Sequence, residues 1–183
     1  MSALPVFLTL RGRRALLVGG GRVAAAKLPA LLEAGAIVAV VAPEIDPALE
    51  QPGVLVWRRK FEPSDLDGCW FAVSAAPPEV NREVAAAAET RRIFVNAVDD
   101  AASASAWLSA VVRKGGVTLA ISTGARAPAL AALLREALQA VLPEDLGEWT
   151  AAAERLRERW RKERVPMAAR RPLLLQALQE IYR

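Results

Sequence analysis

Short apolar runs alternate with longer amphipathic stretches along the first half of the chain. Ala15-Leu16-Leu17-Val18 lies between arginines and glycines and predicts a strand buried on both faces. Residues 23–34 are rich in Ala and Leu, stop at Gly35 and predict a helix. Further strands are predicted at 37–41, 54–57, 69–73 and 93–95, with a helix over 79–90 before the last of them. Strands separated by helices imply a parallel sheet with right-handed crossovers.

The pattern changes after Asp99. Residues 117–122 predict a strand set between Gly115-Gly116 and Gly124. Residues 128–142 predict a helix with Leu130, Leu133, Leu134 and Leu138 on one face, ended by Pro143. A second helix is expected over 145–164, with Trp149, Leu156 and Trp160 on one side and Pro166 as its break. Pro172 is expected to open the last helix, striped by Leu174, Leu178 and Ile181. These three apolar stripes need a covering surface, either the first domain or a second subunit.

Composition narrows the chemistry. Although 54% of the residues are hydrophobic, no apolar run approaches the roughly 18–20 residues that span a bilayer. The start Met1-Ser2-Ala3-Leu4-Pro5 lacks the features of a signal peptide, so a cytoplasmic protein with no membrane partner is expected. Cys69 is the single cysteine and lies in the apolar run Cys69-Trp70-Phe71-Ala72-Val73, so it is read as a buried structural thiol. Histidine is absent, which removes the common zinc sites and histidine-based triads and leaves proton transfer to carboxylates, hydroxyls, Lys or Tyr. No metal site is read. The net charge of the chain is +4, and in its late part Arg159, Arg161, Lys162 and Arg164 interleave with Glu154, Glu158 and Glu163. That is the pattern of a solvated helix face, and no nucleic-acid motif accompanies it.

The sharpest motif is Gly19-Gly20-Gly21-Arg22-Val23-Ala24, directly after the first strand and opening the first helix. It fits the G-x-G-x-x-A dinucleotide fingerprint: Gly19 for the tight turn, Gly21 for close approach of a pyrophosphate, Ala24 for helix-on-strand packing. Amides at the helix start then face the phosphates. Pro43 and Glu44 follow the second strand, and Glu44 lies twenty residues after Ala24, near the spacing of a ribose-binding acid. No Arg or Lys occurs between Ala42 and Gly53 to hold a 2′-phosphate, which favours NAD over NADP.

Several segments together resemble one family. They include Pro5-Val6-Phe7-Leu8, Val18-Gly19-Gly20-Gly21-Arg22-Val23-Ala24, Leu31-Leu32-Glu33-Ala34-Gly35-Ala36, Val80-Asn81-Arg82-Glu83-Val84, Val95-Asn96-Ala97-Val98-Asp99-Asp100 and Ala120-Ile121-Ser122-Thr123-Gly124. The set is similar to the precorrin-2 dehydrogenase family of siroheme synthesis, many of whose members are also sirohydrochlorin ferrochelatases. The resemblance implies an α/β fold: a Rossmann-type parallel sheet over 1–108, a dimerisation segment over 109–143 and a helical region over 144–183. It implies NAD as cofactor, precorrin-2 as substrate, ferrous iron as a further substrate in some members, and a homodimer. In members with a methyltransferase domain, that domain follows this region; since the sequence ends at Arg183, the activity is expected on another protein.

The family's functional aspartate, in its Asn-x-x-Asp pattern, falls on Asp99. Its cofactor contacts fall on Arg22 and Val23 at the glycine turn and on Pro43 and Glu44. The hydroxyl before glycine falls on Thr123, so Ser122, Thr123 and Gly124 become candidate substrate contacts. Position alone also favours Asp99, because ligands of open parallel sheets sit beyond the carboxyl ends of the strands. If the segment there is extended, Asp100 points the other way. Ala106, Ser109, Ala125, Ala127 and the run Ala76-Pro77-Pro78 depart from the family pattern and bear on chelatase activity and substrate binding. Two other readings stay open: a non-catalytic NAD-sensing Rossmann module, and a dehydrogenase for a different anionic substrate.

Overall fold

The computed structural model describes residues 3–124 and 126–182. Met1, Ser2, Ala125 and Arg183 lie outside them, including Ala125 among the departures just named. The chain forms two compact units, residues 1–108 and 109–183.

In the first unit, five parallel strands take the order β3-β2-β1-β4-β5. They are β1 (Arg14–Val18), β2 (Ile37–Val41), β3 (Leu55–Trp57), β4 (Cys69–Ser74) and β5 (Phe94–Ala97). Helix α1 (Arg22–Glu33) connects β1 to β2, and α2 (Pro78–Arg91) connects β4 to β5. The strands expected from the apolar runs are present, with ends shifted by no more than two residues.

Alternation along each strand divides the core into two layers. Leu16, Val18, Ala39, Val41 and Ala72 face Val84 and Ala88 of α2. Ala15, Leu17, Val38, Val40, Phe71 and Val73 face Ala24, Leu28 and Leu31 of α1. Because both faces are covered, β1 and β2 read as unbroken apolar runs rather than as alternating ones. Cys69 is buried as expected; its Sγ–H donates to the Asp65 carbonyl at 3.4 Å, and burial pushes the thiol up from its ordinary pKa.

The second unit begins with an antiparallel hairpin of β6 (Ala110–Lys114) and β7 (Val117–Ile121), turned at Gly115-Gly116. Three helices follow: α3 (Pro128–Val141), α4 (Leu146–Lys162) and α5 (Met167–Glu180). Two expectations are corrected here. Gly115-Gly116 is a hairpin turn between two strands rather than the boundary of one, with φ of 54° and 80° at its two residues. The last helix starts at Met167 after Pro166, and Pro172 lies inside it. A proline about one and a half turns from a helix start can be accommodated, at the loss of one backbone hydrogen bond.

On α3, Ala131 is buried, whereas Leu130, Leu133, Leu134 and Leu138 are 48, 62, 40 and 38% exposed. Among the described residues, no helix is long and apolar enough to cross a membrane.

Candidate functional site

The carboxyl ends of the parallel strands carry Gly19 after β1, Ala42 to Glu44 after β2, Ala75 after β4 and Val98-Asp99 after β5. Each ladder runs one step past its strand. Gly19 N–H donates to the Val41 carbonyl at 3.0 Å, Ala75 N–H to Val18 at 2.8 Å and Val98 N–H to Ser74 at 2.8 Å. The loops that leave the sheet are thereby fixed at their roots. Between β1 and β4 the strand order reverses, which opens the crevice where open α/β sheets bind ligands.

Glycine is required twice at this crevice. Gly19 has φ of 119°, and a Cβ on it would overlap the Ala75 carbonyl oxygen. A Cβ on Gly20 would overlap the Glu44 carbonyl oxygen, and the Gly20 carbonyl accepts from Asp46 N–H at 2.7 Å. The sequence places Gly19, Gly20 and Gly21 at the cofactor, but the fingerprint gives Gly20 no packing role. Here Gly20 is what lets the β1–α1 turn lie flat against the β2 loop.

Gly21 differs, because a Cβ there would meet no protein atom within 4 Å. It stands as N-cap of α1, with no side chain capping the helix. The first amides of a helix lack intrahelical acceptors, so donors at Arg22 and Val23 face open space. An uncapped helix start behind a glycine with free volume fits a pyrophosphate. Ala24, wholly buried, packs α1 onto the sheet as the motif demands.

Pro43 and Glu44 are exposed beside this turn. Asp46 is occupied locally, its Oδ1 accepting from Ala48 N–H at 2.9 Å. Basic residues also follow β3, whose Trp57 carbonyl accepts from Ala42 N–H. Arg58 pairs with Glu50 there, and Arg59 with Asp65.

Asp99 is exposed in the turn after β5, with φ of 58°. The segment is therefore a left-handed turn and not the extended stretch expected from sequence. Asp and Asn enter that conformation more readily than other side-chain-bearing residues. Asp100 does not simply alternate with Asp99. Its Oδ1 accepts from Ser103 N–H at 3.2 Å, and hydrogen bonding to Ser103 holds its carboxyl below the ordinary range. Downstream, Ser105 and Ala106 N–H groups both donate to the Val95 carbonyl at 2.9 Å, and the Ala106 carbonyl accepts from Asn96 Nδ2 at 3.1 Å. Backbone contacts anchor this segment, so the small side chain at Ala106 leaves the anchor intact.

Ser122, Thr123 and Gly124 belong to the second unit. Ser122 Oγ accepts from Gly124 N–H at 3.1 Å, and Thr123 Oγ1 accepts from Ala127 N–H at 3.2 Å, just before α3. Each hydroxyl keeps its own O–H available to donate.

One residue of the site escaped the sequence reading. Asn81 of α2 is 2% exposed and joins the loop after β4 to the turn after β5. A single polar residue on a helix gives no periodic signal. Its marks in the sequence are its position four residues after Pro77 and its place in the 80–84 segment of the family resemblance, neither of which gives it a role.

A five-stranded sheet in this order, with a glycine turn at the reversal point and an uncapped helix behind it, defines a dinucleotide-binding domain of the Rossmann type. Residues 6–110 match the model of the family described as "Putative NAD(P)-binding", and the chain belongs to that family. It is 41% identical over 182 residues to a siroheme synthase of Photorhabdus laumondii, covering 97% of this chain and 39% of that protein. It is 43% identical over 176 residues to siroheme synthase 3 of Aeromonas hydrophila, covering 93% and 38%. The chain thus spans about two fifths of the length of these relatives. Among solved structures, "SirC, precorrin-2 dehydrogenase" superposes with a TM-score of 0.71 at 26% identity, covering 95% of this chain and 88% of that one.

Proposed function

We propose that this chain oxidises precorrin-2 to sirohydrochlorin with NAD. The observation that carries the proposal is that Asp99 stands at the carboxyl end of β5, in a sheet whose glycine turn is shaped for a dinucleotide at the reversal point. The similarity to siroheme synthases, and to a precorrin-2 dehydrogenase over most of both chains, supports the substrate.

The reaction removes two electrons and two protons from the macrocycle; NAD supplies the two-electron acceptor and leaves as NADH. The chain's own residues do the rest. Gly19, Gly20 and Gly21 clear the backbone for the pyrophosphate, and the amides of Arg22 and Val23 bind it. Pro43 and Glu44 would hold the adenosine ribose, where the Glu44 carboxylate would accept from a ribose hydroxyl. Asp99 accepts the remaining proton from the substrate, a role that no histidine can take in this chain. In the second unit, the Ser122 and Thr123 hydroxyls, each with an O–H left to donate, and Gly124 beside them are the candidate contacts for the carboxylates of the substrate.

The same Asp99 would accept pyrrole protons if ferrous iron were inserted into the product. A homodimer formed through residues after Ser109 accounts for the exposed leucines of α3. Incubation of the protein with precorrin-2 and NAD under anaerobic conditions tests the proposal. Sirohydrochlorin absorbance and NADH should rise together, and their absence contradicts it. Adding Fe(II) to the same assay tests iron insertion.

A further inference from the structure

We propose that Asn81 is a positioning residue that locks the Asp99 turn to the loop packed on Gly19. The inference rests on the reading of Asp99 as the proton acceptor, and it concerns how that residue is held.

Three backbone or side-chain groups converge on the buried Asn81 amide. Ser74 Oγ–H donates to Oδ1 at 2.6 Å, and Ala76 N–H donates to the same oxygen at 3.2 Å. Asn81 Nδ2 reaches the Val98 carbonyl at 3.5 Å. Ala76 N–H can only donate and the Val98 carbonyl only accept, so the orientation of the amide is fixed by its partners.

The positions of these partners give the arrangement its meaning. Ser74 and Ala76 flank Ala75, whose carbonyl lies against Gly19 and so forms one wall of the cofactor crevice. The Val98 carbonyl belongs to the peptide that leads into Asp99, and Val98 N–H is bound to the Ser74 carbonyl. Val98 is thus held at both its N–H and its carbonyl, which restrains the peptide plane that leads into Asp99 and its left-handed conformation. One amide side chain therefore spans the two loops that must meet a dinucleotide and its substrate together.

The chemistry needs asparagine here. The site calls for an oxygen that accepts twice and, two bonds away, a nitrogen that donates. Aspartate offers the acceptors without the donor. Burial opposes the charged form, while the donors Ser74 and Ala76 and a pH of 8 favour it, and a carboxylate there repels the Val98 carbonyl. Asn81→Asp thus keeps the arm to Ser74 and Ala76 and releases the arm to Val98.

The experiment compares full-length wild type with Asn81→Asp at pH 8 by three measurements: amide hydrogen exchange, NAD affinity and turnover of precorrin-2. Exchange over residues 98–103 should rise at least tenfold in the variant, while exchange over α1 stays as in wild type. NAD affinity should stay within about threefold, and kcat should fall at least tenfold. A merely structural role would move all of these together with the melting temperature. Unchanged exchange over 98–103, or unchanged turnover in an active enzyme, overturns the inference. If wild type itself does not turn over precorrin-2, the dehydrogenase reading fails, and the exchange measurement alone decides whether Asn81 holds the turn. Should the aspartate variant not fold, Asn81→Ser, which introduces no charge, must show the same rise over 98–103, and no rise overturns the proposal.

Discussion

The α-carbon of Gly19 lies against the carbonyl of Ala75, bridging β1 and β4 at the point where the sheet reverses its strand order. Two neighbouring glycines separate packing from binding at this turn. In Gly19→Ala the new methyl overlaps Ala75 and the φ of 119° is strained, so stability should fall by about 1–3 kcal/mol and NAD binding with it. In Gly21→Ala the methyl enters free space, so the melting temperature should stay within a few degrees while NAD affinity falls about tenfold or more. Thermal unfolding and calorimetry on the two variants check this. Loss of stability in Gly21→Ala, or unchanged affinity there, would remove the pyrophosphate from this turn.

Cofactor choice follows from charge beside β2. The loop after Val41 offers Glu44 and no cation up to Gly53, and Arg58 and Arg59 beyond it are paired with carboxylates. NAD should bind at least about tenfold more tightly than NADP, equivalent to about 1.4 kcal/mol. Glu44→Ala should narrow that ratio. Equal affinities in the parent protein would overturn the assignment of Glu44 to the ribose.

Acid stability should depend on Asp65. Burial raises the pKa of this carboxyl, but two hydrogen bonds from Arg59 and one from Glu62 N–H more than compensate and hold it below the ordinary range. Its folded pKa lies below its unfolded one, so the stabilisation is present above about pH 4 and is lost as pH falls through the folded value. Asp65→Asn should cost about 1.5–3 kcal/mol at neutral pH and flatten the decline in stability below about pH 4. Urea titrations at several pH values would show this; parallel curves for the two proteins would contradict it.

The exposed leucines of α3 predict self-association. Leu133, at 62% exposed, is the centre of the stripe. Light scattering at micromolar concentration should give a dimer, and Leu133→Glu should give a folded monomer. A monomeric parent protein would place the stripe's function elsewhere.

Much of the first unit was legible because strands buried on both faces leave continuous apolar runs, and the Leu and Ala spacing of α1 is strongly periodic. The second unit was harder. Gly115-Gly116 between apolar runs is a hairpin signal, yet β6 ends in Arg113-Lys114, and those charges masked the strand. Pro172 looked like a helix start because nothing in the sequence shows that Pro166 had already supplied one. At the site, residue types and spacing pointed to Gly19, Gly20, Gly21 and Asp99, but not to the packing role of Gly20 or to Asn81. Their roles depend on contacts with Glu44 and Val98, which lie 24 and 17 residues away along the chain. The left-handed turn at Asp99 was likewise invisible, since an Asp-Asp pair reads equally well as extended chain.

The central claim is that Asp99 takes the proton during NAD-dependent oxidation of precorrin-2. Asp99→Asn tests it cleanly, because asparagine tolerates the φ of 58° and replaces the carboxylate with an amide of the same shape. Asp100→Asn is the control; it keeps an acceptor for Ser103 and should remain near wild-type activity. The measurement is anaerobic turnover at saturating NAD, following sirohydrochlorin and NADH together, with NAD affinity determined separately. The account predicts a fall of about 10²–10⁴-fold in kcat for Asp99→Asn with NAD affinity unchanged. Full activity in Asp99→Asn would contradict it.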